Sequence, residues 1–402
     1  MDGTTELERI YRAEATRIRA SLAVRLGDVG LAEELVQDAF VEALEHWPKD
    51  GVPPNPGGWL ATTARRKAVD RLRRARAGQE KLALIAASAA ADGAADEDPD
   101  DDLLGLVFAC CHPALTRESQ IALTLRTVCG LTTAEIAAAF LTAEPTMAQR
   151  LSRARKALQE AGAPVRVPDP DELGDRLAEV LAVVYLVFNE GYLASAGRTP
   201  ARRDLAARAV SLTRLLHRLM PREPEVQGLL ALELLHESRA ATRFDGWGRL
   251  VRMRDQDRGR WDRGLIAEAV ALLDRALALR RPGPYQIQAA IAALHAEAGA
   301  YEQTDWEQIR LLYDRLDRLT PSPVVRLNRA VATGQAVGPE AALAETDALA
   351  GELAGYRLYH AVRAELLDQL GRHDEARAAN QRALALATHP AERELLAQRL
   401  VT

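Results

Sequence analysis

Residues 131–160 read LTTAEIAAAFLTAEPTMAQRLSRARKALQE, and they decide the kind of fold. Thr132, followed three residues on by Glu135, makes a capping box, the start signal of a helix. Ile136 and Phe140 recur at helical spacing and face inward. Residues 141–144, LTAE, make a turn, and Pro145 suits the first position of the next helix. There Met147, Leu151, Ala154 and Leu158 form an apolar stripe, while Thr146, Gln149, Ser152, Arg153 and Lys156 face outward. The pattern predicts a helix-turn-helix, whose second helix enters a major groove N-terminus first. Thr146 and Gln149 are placed to read bases, and Arg153 and Lys156 suit phosphates. A plain helical hairpin shares this core, so cap, turn and basic exit together carry the DNA reading.

A second basic element lies upstream, GWLATTARRKAVDRLRRARA at residues 58–77. On a helix, Leu60, Ala61, Ala64, Ala68 and Leu72 share one face. Trp59, Thr62, Thr63, Arg66, Lys67, Asp70, Arg73 and Arg74 share the other. Seven basic residues against one acid between positions 65 and 76 suit a row of phosphates, although a solvated basic face has the same composition. Trp59 is expected to stack on an unpaired base. The preceding WPKDGVPPNPGG, residues 47–58, predicts a stiff loop, and residues 5–46 predict helices.

Residues 81–103 carry one lysine against seven acids, a net of −6, whereas the whole chain of 402 residues carries −5. This segment predicts a flexible acidic linker, and any nucleic-acid surface must be a local patch. Few aromatics and abundant Ala, Leu and Arg predict an all-α fold. From residue 166 onward the chain reads as helices joined by turns. Ala269, Trp306, Ala341 and Ala376 occupy matching places 37, 35 and 35 residues apart, close to the ~34-residue period of tetratricopeptide (TPR) helix pairs.

In combination these elements resemble bacterial RNA polymerase sigma factors of the extracytoplasmic-function type. AEELVQDAFVEAL, residues 32–44, is similar to region 2.2, which docks on the polymerase. GWLATTARRKAVDRLRR is similar to regions 2.3 and 2.4, which melt and read the −10 element, and residues 130–158 are similar to region 4.2, which reads the −35 element. The resemblance implies region 2 over 1–80, the linker over 81–103, region 4 over 104–165 and a helical extension over 166–402. It implies core RNA polymerase as a partner through Glu34, Asp38 and Glu42. It implies −10 DNA on Trp59, Thr62, Arg66, Lys67, Asp70, Arg73 and Arg74, and −35 DNA on Thr146, Gln149, Ser152, Arg153 and Lys156. Arg66 departs from the family's usual Asn and Ala148 from its usual Lys or Arg, which bears on the promoter sequence.

FNEGY at 188, QDRGRWD at 256, GPYQIQAAIAALHA at 283 and SPVVRLNRAVA at 322 resemble the extension of one subgroup. That resemblance implies regulation in cis, through contact of the extension with regions 2 and 4. The competing expectation is a TPR scaffold with a DNA-binding arm that works without polymerase.

Cys110, Cys111, His112 and Cys129 lack metal-ligand spacing, since adjacent cysteines diverge by about 100° on a helix, and they predict buried structural thiols. Asn189 and Glu190, before Gly191 and Tyr192, suit a helix end closed by a Gly turn or the lining of a pocket. Gln256, Asp257, Arg258 and Trp261 suit a domain interface or a ligand site. With no P-loop, GxSxG, HExxH or GxGxxG before a strand, neither an enzyme nor a cofactor or metal site is expected. Three cysteines and no apolar signal segment fit a cytoplasmic protein away from the membrane.

Overall fold

A computed structural model describes residues 3–74, 99–140, 142–192, 203–388 and 390–400. The elements are helices, apart from one isolated antiparallel bridge between Phe244 and Leu250, so the all-α expectation holds. Two compact units divide the chain, Met1–Leu186 and Val187–Thr402. Among the described residues no helix is long and apolar enough to cross a membrane.

The first unit opens with α1 (Gly3–Leu26), α2 (Val29–Asp50) and α3 (Pro56–Arg74). Gly27, with φ near +61°, allows the sharp turn out of α1. Asp28 then caps α2 by accepting the Leu31 N–H at 2.9 Å. The apolar faces of all three helices meet in a core that includes Leu26, Leu35 and Leu60.

The expected 47–58 loop is shorter than its prolines suggested. α2 continues through Pro48 to Asp50, because buried Trp47 anchors its last turn and a proline there removes only one donor. Gly51, at φ +83°, ends the helix and donates to the Trp47 carbonyl at 3.0 Å. Only residues 51–55 remain as a loop, and the Asn55 side chain accepts the Gly58 N–H at 2.9 Å as α3 begins.

The acidic segment also ends earlier than expected. Asp100, Asp101 and Asp102 form the first turn of α4 (Pro99–Cys110), where the positive end of the helix dipole favours acids. The rest of the expected linker, 81–98, lies outside the described residues. α4 packs on α1, and α5 (Arg117–Thr127), α6 (Thr133–Ala139) and α7 (Glu144–Glu160) follow. α8 (Pro170–Tyr192) begins in the first unit, where Arg176 donates to the Phe108 carbonyl at 2.7 Å. Arg117 pairs with Glu179 of α8 at 2.7 Å.

The second unit stacks successive helices: α9 (Arg203–Leu219), α10 (Pro224–Glu237), α11 (Arg263–Ala278), α12 (Pro284–Glu297), α13 (Trp306–Leu319), α14 (Pro323–Ala336), α15 (Pro339–Asp347), α16 (Ala350–Leu353), α17 (Arg357–Gln369), α18 (His373–Leu386) and α19 (Pro390–Gln398). The repeat-matched residues Ala269, Trp306, Ala341 and Ala376 fall on four different helices, α11, α13, α15 and α18. Two expectations change. Residues 240–262 hold short 3₁₀ turns and the Phe244–Leu250 bridge instead of a helix. Gly191 lies inside α8 rather than in a turn beyond it, and a Cβ there would come within 2.2 Å of the Ala206 nitrogen. Its lack of a side chain lets α8 and α9 cross closely.

The extension's sequence phrases meet inside this unit. Phe188 and Tyr192 stack at 5.7 Å, and the His236 ring lies 4.9 Å from Tyr192. Trp261 is buried and donates from Nε1 to the Thr242 hydroxyl at 3.0 Å, and that hydroxyl faces Gln256 Oε1 at 3.4 Å. Arg258, also buried, donates to the carbonyls of His295 and Ala298 at 2.5 and 2.9 Å. The QDRGRWD phrase therefore clamps the irregular segment onto α12.

Candidate nucleic-acid interface

The helix-turn-helix is built as its sequence dictates. Thr132 accepts the Glu135 N–H at 3.1 Å, and Glu135 accepts the Thr132 N–H at 2.7 Å, closing the capping box. Ile136 is buried, whereas Phe140 at the C-cap of α6 is half-buried with the Arg150 guanidinium 5.5 Å from its ring centre. α7 starts at Glu144, one residue before Pro145. Met147, Leu151, Ala154 and Leu158 are buried. Thr146, Gln149, Ser152, Arg153 and Lys156 are all exposed, so the five residues expected on the −35 face form one solvent-facing strip. Of these, Lys156 leans toward Glu160 at 3.6 Å, a weak surface pair.

On α3, Leu60, Ala64, Ala68 and Leu72 are buried, as the pattern requires. Thr63, expected on the outer face, is buried too. Thr62, Arg66 and Arg73 are exposed, and Lys67 and Asp70 are half-buried. Trp59 is half-buried, its ring edge-on to that of buried Trp47 at 5.4 Å. The Trp59 indole is thus packed against the end of α2.

The cations of α3 do not stand alone. Glu42 of α2 pairs with Arg66 and, at 2.9 Å, with Lys67. Hydrogen bonding from Lys67, then from Arg66, holds the Glu42 carboxyl below its ordinary range against the opposing effect of burial. Arg71, which the sequence reading passed over, reaches Glu34 at 2.7 Å. Two of the three acids expected to face polymerase therefore neutralise cations expected near DNA. Asp38, between them on α2, is exposed.

A second ionic cluster joins the two halves of the first unit. Glu33 of α2 is only 3% exposed and accepts from Arg126 Nε at 2.7 Å and Arg155 Nη2 at 2.5 Å. Burial pushes its carboxyl up, but Arg155, Arg126 and Arg19 together outweigh that and hold it below the usual range. Buried Arg19 of α1 donates to the Thr127 carbonyl at the end of α5. Gly30 completes the fit, because a Cβ there would meet the Arg155 side chain at 3.2 Å. The sequence did carry a signal for Glu33. It stands at core spacing among Val29, Val36 and Phe40, where an acid must find a partner.

Cys110 and Cys111 are fully buried, and burial raises both thiols, that of Cys111 to about 12. They pack as small apolar groups.

Residues 10–78 match the sigma-70 region 2 family, residues 106–158 match sigma-70 region 4, and residues 176–277 match a family of unknown function (DUF6596). The chain is 30% identical over 153 residues to the ECF RNA polymerase sigma factor SigK of Mycobacterium ulcerans (strain Agy99), covering 37% of this chain and 81% of that relative. It is 50% identical over 372 residues to an uncharacterized protein of Rhizobium meliloti (strain 1021), covering 91% of this chain and 88% of that relative. No solved structure matches it.

Proposed function

The chain belongs to the extracytoplasmic-function family of sigma-70 factors, and from that premise we propose that it binds core RNA polymerase and directs initiation at specific promoters. The observation that supports this best is the pairing of two separate surfaces in one unit. The strip from Thr146 to Lys156 suits duplex DNA, and the Trp59–Arg73 face of α3 suits an opened strand. Thr146 and Gln149 read base edges at the −35 element, while Ser152, Arg153 and Lys156 hold phosphates. Thr62, Arg66, Lys67, Asp70, Arg73 and Arg74 meet the −10 strand, with Trp59 beside it. Glu34, Asp38 and Glu42 meet polymerase. Catalysis belongs to the polymerase.

The ion pairs impose an order on these events. Glu42 competes with phosphate for Arg66 and Lys67, and contact of polymerase with Glu42 relieves that competition. The two DNA faces must also part. Elements centred about 25 base pairs apart are roughly 80 Å apart along a duplex. A compact body of about 186 residues has a radius of gyration near 16 Å. The Glu33 cluster that ties α2 to α5 and α7 therefore opens when the factor engages a promoter. The extension acts in cis by setting how readily the first unit reaches that open form.

The decisive experiment is in vitro transcription of genomic DNA with core polymerase and the full-length protein. Discrete start sites that require the protein, together with co-purification of core polymerase, are expected. Binding to DNA without either result would leave a DNA-binding scaffold instead.

A further inference from the structure

The second unit contains a cavity of about 260 Å³ that none of these roles uses. It lies between α14 and α17 and is closed by the 3₁₀ turns at 253–255 and 301–303 and by the end of the chain. One wall is apolar, made by Val331 of α14 and by Leu358, Ala361 and Val362 of α17. Arg252, Arg254 and Arg399 also line it, around Glu365, which follows Val362 by one turn on α17.

The charges in that cluster do not balance. Glu365 pairs with Arg254 at 3.1 Å through one oxygen and with Arg399 at 3.0 Å through the other. Arg252 pairs with Asp255 at 2.7 Å. Among the described residues three guanidiniums thus face two carboxylates, and the excess positive charge falls on Arg254 and Arg399, which share Glu365. A guanidinium stays protonated in proteins and offers five donors, so these pairs leave N–H groups over. Arg399 is largely desolvated, and burial draws its pKa down, which marks this cluster as a place of weak solvent screening. A partly enclosed cavity lined both by a cluster of guanidiniums and by branched apolar side chains matches a particular ligand class.

We propose that this cavity binds a small organic anion, a carboxylate or phosphate monoester carrying a short apolar group. The anionic end sits among Arg252, Arg254 and Arg399, and the apolar end lies against Val331 and Val362. Arg399 acts as the specificity residue, because it shares the one carboxylate of Glu365 with Arg254 and so belongs to the group that carries the surplus charge, whereas Arg252 is matched by Asp255. Glu365 organises Arg254 and Arg399 and also competes with the ligand for them. This inference concerns the extension alone and does not depend on the proposed role in transcription.

The test is calorimetric titration and thermal shift on the full chain with hexanoate, hexyl phosphate, acetate and 1-hexanol. Hexanoate or hexyl phosphate is expected to bind saturably in the millimolar range or tighter and to raise Tm. Acetate and 1-hexanol, each lacking one half of the ligand, are expected to bind at least about tenfold more weakly. Arg399→Met should weaken the preferred anion about tenfold, whereas Glu365→Gln should tighten it. A gain in affinity is a result that damage to the fold does not mimic. Val331→Trp should fill the cavity and abolish binding without lowering Tm in the absence of ligand. No saturable binding of either long anion to the wild type would overturn the proposal. So would equal binding of 1-hexanol, or affinities unchanged in both charge variants. The relative response to hexanoate and hexyl phosphate decides which headgroup the site takes.

Discussion

The carboxylate of Glu33, on the second helix of the chain, lies 2.5 Å from the guanidinium of Arg155, on the helix that carries the exposed Thr146–Lys156 strip, 122 residues later. That contact turns two modules usually pictured as beads on a linker into one packed body. The same carboxylate holds Arg126, so its loss leaves half-buried cations on two helices unpaired at once.

Replacing Glu33 with Ala is therefore expected to cost about 3–5 kcal/mol, the usual penalty for breaking a buried ion pair on one side. Glu33→Gln keeps the volume and should cost less. Both variants should loosen the first unit and leave the second intact. Small-angle scattering and amide exchange check this. Unchanged protection in α5 and α7 would remove Glu33 from that role.

Acid should act through the same residue. Its carboxyl is held below 4.5 in the fold, so its contribution is full above that pH and is lost as pH falls through the lower folded value. The wild type should lose stability more steeply than Glu33→Gln on going from pH 5 toward pH 3. Parallel melting curves across that range would contradict it.

Glu233 of α10 works in the opposite direction. It is fully buried, and burial raises its carboxyl well above 4.5. The nearby Thr213 hydroxyl is committed to the Ala209 carbonyl at 3.0 Å. The folded chain keeps this proton while the unfolded chain releases it, so the contribution of Glu233 is full below about pH 4.5 and declines as pH rises. Glu233→Gln should raise Tm by a few degrees near pH 7.5 and change it little at pH 4, as read by calorimetry. A uniform shift at both values would indicate a packing effect.

Arg66→Ala is expected to weaken −10 recognition by about 1–3 kcal/mol if its guanidinium reads a base. Glu42→Gln should do the reverse for DNA alone, freeing Arg66 and Lys67, while weakening the complex with core polymerase. Open-complex formation on a panel of −10 variants and a core-binding assay separate the two effects. Glu42→Gln that alters neither would show its pairs to be surface decoration.

On α7 the exposed strip divides by role. Gln149→Ala should change which −35 sequence is preferred. Arg153→Ala should weaken all sequences alike and reduce the slope of log K against log salt by about one. Equal losses for both variants on every sequence would erase the division.

The cis effect of the extension is best tested with residues 1–186 rather than a shorter fragment, because Arg117 and Arg176 bond to α8 and to α4, respectively. Removal of the extension is expected to change promoter-specific transcription strongly while this fragment stays folded. Equal activity of the folded fragment and the full chain would argue against control in cis.

Much of this was legible in the chain because it is local. The Thr132–Glu135 cap, the Met147–Leu158 stripe and the apolar face of α3 each follow from spacing within one helix. The helix pairs of the extension follow from a period. What stayed hidden depends on partners distant in sequence. Arg155 looks like one more basic residue on α7 until Glu33 arrives from α2. Pro48 looks like a helix breaker until Trp47 is buried beneath the same turn. Asp100 to Asp102 look like linker because charge density and a helix N-terminus use the same residues. Gly191 looks like a stop signal, and only the approach of Ala206 shows that it is a crossing point. The cavity between α14 and α17 draws on segments as far apart as Arg252 and Arg399, which no window of sequence brings together.

The buried thiols give the first unit a built-in clock. All three cysteines of the chain, Cys110, Cys111 and Cys129, lie in Met1–Leu186, and the second unit has none. Alkylation requires an accessible thiolate, and Cys110 and Cys111 offer neither access nor a low pKa while α4 is packed. Their rate of modification therefore counts the openings of one unit without any engineered label, and it does so in the intact protein, with polymerase, DNA or a small ligand added in turn.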